Sequence, residues 1–265
     1  MRAEGKAMRQ AALKTRDTSM AMREEFEASG AWLFRWRSYL PLLLLALLLW
    51  VVYSVPRPFA AFINQTLWDM LCLFVALLGM AVRVATIGCT PRRTSGRNTQ
   101  HQVADTLNVT GMYSIVRHPL YLGNLIIVLG IASYAQLWWM TLLTLLAFTL
   151  YYERIMFAEE AFLRNKFGAT YEQWAATTPA WVPRLRQWRA GSLRFSLRNV
   201  LKREYNGTFA IFAVLAVLNA VMTLSMNKPL QLNSLWTQLL IAAAAVWVVL
   251  RCLKRYTRVL GVTGR

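Results

Sequence analysis

The chain has 265 residues, of which 57% are hydrophobic and 16% charged, where a soluble domain carries about 25% charged residues. The apolar residues come in long runs rather than at amphipathic spacing, which excludes an ordinary soluble domain and predicts an integral membrane protein. The net charge of +18 could suggest nucleic acid, but the basic residues sit between the apolar runs, as membrane-flanking charges do, so no nucleic-acid partner is expected.

In chain order, the first twenty or so residues read as a mobile tail. The stretch "REEFEASGAWLFRWRSY" then mixes charge with Trp32, Phe34 and Trp36 and reads as lying along the interface, where aromatic rings are favoured. Six apolar segments follow: Tyr39–Val55, Leu67–Gly88, Pro119–Ala135, Leu137–Phe157, Thr208–Met226 and Leu235–Leu253. Each is near the roughly 20 residues that a helix needs to cross hydrocarbon, though the first and third are short. Backbone groups in hydrocarbon must satisfy one another, so the expected fold is all-α, a polytopic membrane protein with about six transmembrane helices. The first run is not a signal peptide by pattern: acids precede it and "SVPRP" follows it. Cys72, Cys89 and Cys252 form no CxxC pair, and His101 and His118 are the only histidines, so no metal site is expected.

Lys and Arg alternate between rich and poor gaps. The arm before Tyr39 has eight, the Pro56–Thr66 gap one, and the Cys89–His118 gap four. The turn at Gln136 has none, the Ala158–Gly207 segment nine, the Asn227–Ser234 gap one, and the tail from Lys254 four. Both termini and the two long loops are therefore expected to face the cytoplasm. Arg83, Arg154 and Arg251 fall inside the runs, near their cytoplasmic ends, where they are expected to snorkel.

This topology puts "MYSIVRHPLYLGN" at the mouth of the third run and "YYERIMFAEEAFLRNKFG" at the exit of the fourth. The single-residue turn at Gln136 makes those two runs an antiparallel hairpin, so the two polar stretches meet. Pro119 suits the first position of a helix, whose free N–H groups attract anions. Arg117 can grip a carboxylate or phosphate, with His118 and Tyr121 alongside. Taken alone, an arginine, a helix-starting proline and an interfacial tyrosine are also ordinary membrane grammar. Glu153, Glu159 and Glu160 cluster where the chain leaves hydrocarbon, and Glu153 and Glu160 share a helix face. Glu160 could instead pair with Arg164 at i,i+4.

Together, "GMYSIVRHPLYLGN" and "AEEAFLRNKFGATYEQWAATTPAWVPRL" resemble the isoprenylcysteine carboxyl methyltransferase and phospholipid methyltransferase superfamily. The resemblance rests on Gly111, Tyr113, Arg117, His118, Pro119, Tyr121 and Gly123, then on Glu159, Glu160, Leu163, Phe167, Gly168, Tyr171, Trp174, Val182 and Pro183. It covers roughly Leu67 to Arg186. It implies a membrane methyltransferase that uses S-adenosylmethionine and a lipid or lipid-anchored acceptor. By the same resemblance, His118, Pro119 and Tyr121 line the cofactor, Arg117 partners its carboxylate, and Glu159 or Glu160 accepts from its ribose or ammonium group. Glu153 or Glu160 could take a proton from an amine acceptor, and Tyr121 completes the set of candidate catalytic residues.

The implied organisation is an interfacial arm over 1–38, a methyltransferase-like membrane core over 39–190, and an extension over 191–265 with two further spans. The compartment is the inner membrane in a bacterium, or an endomembrane in a eukaryote, with the site on the cytoplasmic face. Two other readings stay open: a membrane reductase of the sterol type that uses NADPH, and a non-enzymatic scaffold. Oligomeric state is not legible.

Overall fold

The computed structural model describes residues 22–55, 64–91, 94, 104–191, 193–230 and 234–262. The first twenty-one residues, read as a mobile tail, and His101 lie outside the described residues. The helices are α1 (Met22–Trp36), α2 (Leu40–Ser54), α3 (Gln65–Gly88), α4 (Pro119–Tyr134), α5 (Trp138–Phe167), α6 (Ala169–Thr177), α7 (Leu197–Ser225) and α8 (Leu235–Tyr256). Short 3-10 turns occupy Met112–Ser114 and Leu185–Gln187. Among the described residues there is no β-strand, only an isolated bridge between Gly111 and Arg189.

Each of the six apolar runs lies on a helix. By length and composition, α3, α5, α7 and α8 could each cross a membrane. The other two runs are shorter: α2 follows α1 as a pair bent by 71°, which counts as a fifth span if the pair is one, and α4 has 16 residues. Among the described residues, length and composition therefore support four or five spans, and the remaining expected run, on α4, is a shorter apolar helix.

Local chemistry sets the helix boundaries. The side chains of Asn64, Ser196 and Ser234 accept from the backbone N–H three residues on, capping α3, α7 and α8. Pro119 is the first residue of α4, as its fixed φ favours. The hairpin between α4 and α5 turns at Gln136, buried and left-handed at φ 58°. Gly168, at φ 51°, ends α5 and starts α6.

The core of the bundle is α2, α3, α4 and α7, with Val52, Ala76, Tyr134 and Leu215 fully buried between them. α8 packs on α7, and α1 packs on α5. Helices α3 and α4 approach closely where small residues face each other: a Cβ on Gly79 would lie 2.6 Å from the Gly123 carbonyl oxygen, and one on Gly130 2.7 Å from the Ala76 nitrogen.

Two polar belts cross this apolar bundle. In one, Asp69 of α3 accepts from Gln65, Tyr134 and Trp236, and Asn219 of α7 donates to the Tyr134 hydroxyl. In the other, Arg83 of α3 forks onto Glu204 of α7 at 2.7 and 3.0 Å and donates to Asn124 of α4 at 2.6 Å. Asn124 in turn donates to the Tyr152 hydroxyl of α5 at 2.8 Å. The expected snorkelling of Arg83 is thus corrected: a buried carboxylate 121 residues away binds its guanidinium inside the bundle.

Candidate functional site

The site begins with the chain entering α4. His118 precedes α4 without a side-chain capping bond and Pro119 opens the helix, so the 111–117 segment is delivered to the end of the bundle where Arg83 and Glu204 lie. The segment after α6 holds it from behind. Arg117 N donates to the Pro179 carbonyl at 2.8 Å, Arg184 N to the Ile115 carbonyl at 2.9 Å, and Gly111 N to the Arg189 carbonyl at 2.8 Å. The Trp174 indole N–H adds a bond to the Tyr113 carbonyl at 3.1 Å. Each of these bonds satisfies a backbone group that the irregular segment would otherwise leave unpaired.

The antiparallel hairpin brings α5 alongside, and the two polar stretches meet. Glu160 accepts from Arg117 Nη1 at 2.9 Å through Oε2, and its Oε1 lies 2.9 Å from His118 Nε2. The alternative i,i+4 pairing of Glu160 with Arg164 is not what forms; Arg164 lies 3.8 Å from Glu172. His118 Nδ1 is 3.8 Å from Glu159 Oε2, beyond hydrogen-bond distance. That oxygen is buried and accepts no hydrogen bond among the described residues, while the Tyr121 hydroxyl faces the same carboxylate group. Arg117 Nε is likewise buried and without a partner. Tyr121 stacks between His118 and Tyr152, at centroid distances of 5.7 and 4.6 Å.

These residues wall a cavity of about 340 Å³, within the roughly 300–1,000 Å³ of small-molecule sites. Arg117, His118, Pro119, Tyr121 and Glu159 all line it. So do Arg83, Asn124, Tyr152 and Glu204, which the sequence reading left without a role there. For Arg83 and Asn124 the signal was a charged or amide side chain within an apolar stretch, which tends to face a partner or a cavity, whereas Tyr152 and Glu204 carried no such signal. Burial first, and then the charge of Glu159, push the Tyr113 hydroxyl above the ordinary phenol range, so it stays a neutral donor at the wall. Tyr171 is pushed up in the same way by burial and by Glu160.

Glu153 and Glu160 are not brought into this cavity. They line a second, adjacent groove with Glu27, Phe157 and Trp181, on the other side of the Arg117 side chain, which borders both spaces. Glu153 is exposed there. Among the described residues, no group of three or more His, Cys, Asp or Glu side chains gathers to hold a metal ion.

Comparison with known proteins adds to this geometry. The phospholipid methyltransferase family model matches residues 72–170, which contain the 111–124 stretch, the α4–α5 hairpin and both glutamates. Cobalt-zinc-cadmium resistance protein CzcN of Cupriavidus metallidurans is 36% identical over 125 residues, 46% of this chain and 54% of that protein. Nickel-cobalt-cadmium resistance protein NccN of Alcaligenes xylosoxydans xylosoxydans is 27% identical over 154 residues, 58% of this chain and 72% of that protein. Protein-S-isoprenylcysteine O-methyltransferase of Schizosaccharomyces pombe is 36% identical over 95 residues, 34% of this chain and 40% of that protein. The match thus spans about half the length of the first relative. No solved structure matches the chain. This central region thus carries the match to the phospholipid methyltransferase family and to protein-S-isoprenylcysteine O-methyltransferase, on a fold whose described residues form helices and no strand.

Proposed function

We propose that the chain is a methyltransferase that uses S-adenosylmethionine and methylates a lipid or lipid-anchored acceptor at the cytoplasmic face. The observation that carries this reading is the unpaired Glu159 carboxylate oxygen, buried at the wall of a cavity that the Arg117–His118–Pro119 segment encloses. A buried charged oxygen without a partner is costly, and a cationic or hydroxylic ligand group offsets that cost. S-adenosylmethionine carries an ammonium and two ribose hydroxyls that suit Glu159. Its carboxylate suits Arg117, which lines the cavity while Glu160 steadies its guanidinium. His118, Pro119 and Tyr121 offer ring surface for the adenosine.

The cofactor supplies an activated sulfonium methyl group, so the protein's task is to bind, orient and exclude water. Glu160 fixes the rotamers of Arg117 and His118 from behind the wall. Tyr121 and Tyr152 stack and narrow the space beside it. A carboxylate or phosphate acceptor needs no base. For an amine acceptor, a proton leaving within the main cavity would go to Glu159, since Glu153 and Glu160 face the adjacent groove. The cytoplasmic placement is supported by the alternation of Lys and Arg along the sequence.

The test is methyl-labelled S-adenosylmethionine given to sealed vesicles of known orientation. Label should enter the organic extract, and only when the cytoplasmic face is outside. Label found solely in water-soluble products, or equal labelling in both orientations, would contradict the proposal. Displacement of bound cofactor by NADPH would favour the reductase reading instead.

A further inference from the structure

The segment from Pro179 to Gly191 behaves as a clasp with two different edges. One edge is tied to the site segment by backbone bonds from Arg117, Arg184 and Gly111, and by Arg189 N donating to Ser114 Oγ at 2.9 Å. The other edge is open. Val182, Leu185 and Trp188 are 76%, 74% and 54% exposed. Arg184, Arg186 and Arg189 are exposed beside them. The 3-10 turn at Leu185–Gln187 closes with the Trp188 N–H donating to the Leu185 carbonyl at 3.2 Å, which keeps the two residues one turn apart. Between Glu172 and Glu204 there is no acidic residue, against seven Lys and Arg.

Water suits the arginines but not the three large apolar side chains, and hydrocarbon suits the reverse. A headgroup layer suits both: the apolar tips enter the acyl boundary while the guanidinium groups meet phosphate. The clasp lies in the stretch between two helices long enough to cross the membrane, one ending at Phe167 and the next beginning at Leu197, which holds it near a membrane surface. We propose that this clasp is a docking surface for anionic phospholipid headgroups, with Leu185 and Trp188 entering the acyl boundary and Arg184, Arg186 and Arg189 pairing with headgroup phosphates. The surface is separate from the cavity and does not depend on what reaction takes place there. Its backbone ties to residues 111–117 make the lipid a brace for the cavity wall.

The experiment uses the full chain with Leu185→Cys and Cys252→Ser, carrying a nitroxide at position 185. It is reconstituted in phosphatidylcholine alone, or in equal parts of phosphatidylcholine and phosphatidylglycerol. Collisions with lipid-soluble oxygen and with a water-soluble nickel chelate report where the label sits. In the mixed bilayer the label should meet oxygen and be shielded from the chelate. Adding Arg184→Gln, Arg186→Gln and Arg189→Gln should shift the docked-to-undocked ratio by roughly a hundredfold, at about fivefold for each charge near an anionic surface. Equal accessibility in the two bilayers, or no response to the triple substitution, overturns the proposal. So does a label already shielded in detergent without phospholipid, since a protein segment would then cover the clasp. If the labelled chain fails to fold, native mass spectrometry of the otherwise unaltered chain decides. The wild type should retain more phosphatidylglycerol than the triple glutamine variant, and equal retention overturns the proposal.

Discussion

Two neighbouring glutamates have divided roles. Glu160 is spent on Arg117 and His118, whereas Glu159 turns an unpaired oxygen to the cavity wall. Glu160→Ala should therefore cost stability, by about 3 kcal/mol, because it strands a largely buried guanidinium. Glu159→Gln should not lower the thermal midpoint, since it removes an unpaired charge, and should weaken S-adenosylmethionine binding by about tenfold, the worth of one charge-assisted hydrogen bond. Thermal unfolding and equilibrium binding on the same two purified variants check the division; loss of binding with Glu160 variants alone would reverse it. The meeting of Arg117 and His118 with the glutamates was legible in the sequence, because a one-residue turn leaves the two runs no other arrangement. Which glutamate faces the cavity was not legible. Glu153 and Glu160 share a helix face, but that face looks onto the groove that α1 borders through Glu27 rather than into the cavity, and no sequence pattern shows where α1 packs. Arg83 was read as a flanking charge because its partner, Glu204, lies within a stretch dominated by basic residues.

Hydropathy located the helices by their apolar middles and missed their ends. α5 continues past Phe157 to Phe167, and α7 begins at Leu197, well before Thr208. Those polar extensions carry Glu159, Glu160, Arg203 and Glu204, so the parts of the helices outside the apolar runs build much of the site. α7 also shows how the C-terminal hairpin relates to the rest: it joins both polar belts, through Glu204 and through Asn219. Removing the carboxylate alone, as Glu204→Ala, should destabilise by about 3–5 kcal/mol, because Arg83 is left charged inside the bundle. The paired change Arg83→Met with Glu204→Leu should recover most of that loss. Thermal unfolding of the two variants tests the coupling, and a double variant as unstable as the single one would show that the pair is not the reason.

For the chain as a whole, the alternation of Lys and Arg predicts that the α7–α8 hairpin crosses and returns. Reporter fusions after Lys228 and after Arg258 should lie on opposite sides, and agreement between them would mean that the last hairpin does not span. The two belts carry a further consequence. Asp69 and Arg83 lie fourteen residues apart on α3, and at 1.5 Å per residue the belts stand about 21 Å apart. Hydrocarbon is roughly 30 Å thick, so the molecule carries a gauge shorter than the layer it sits in. A thicker bilayer pulls at least one belt deeper, where nothing but protein can satisfy its polar groups, or forces the helices to tilt. Thermal midpoints measured along a series of phosphatidylcholines should accordingly be highest with short acyl chains and fall as the chains lengthen. On this view the bilayer's thickness is itself a variable that tunes the stability of the site's wall.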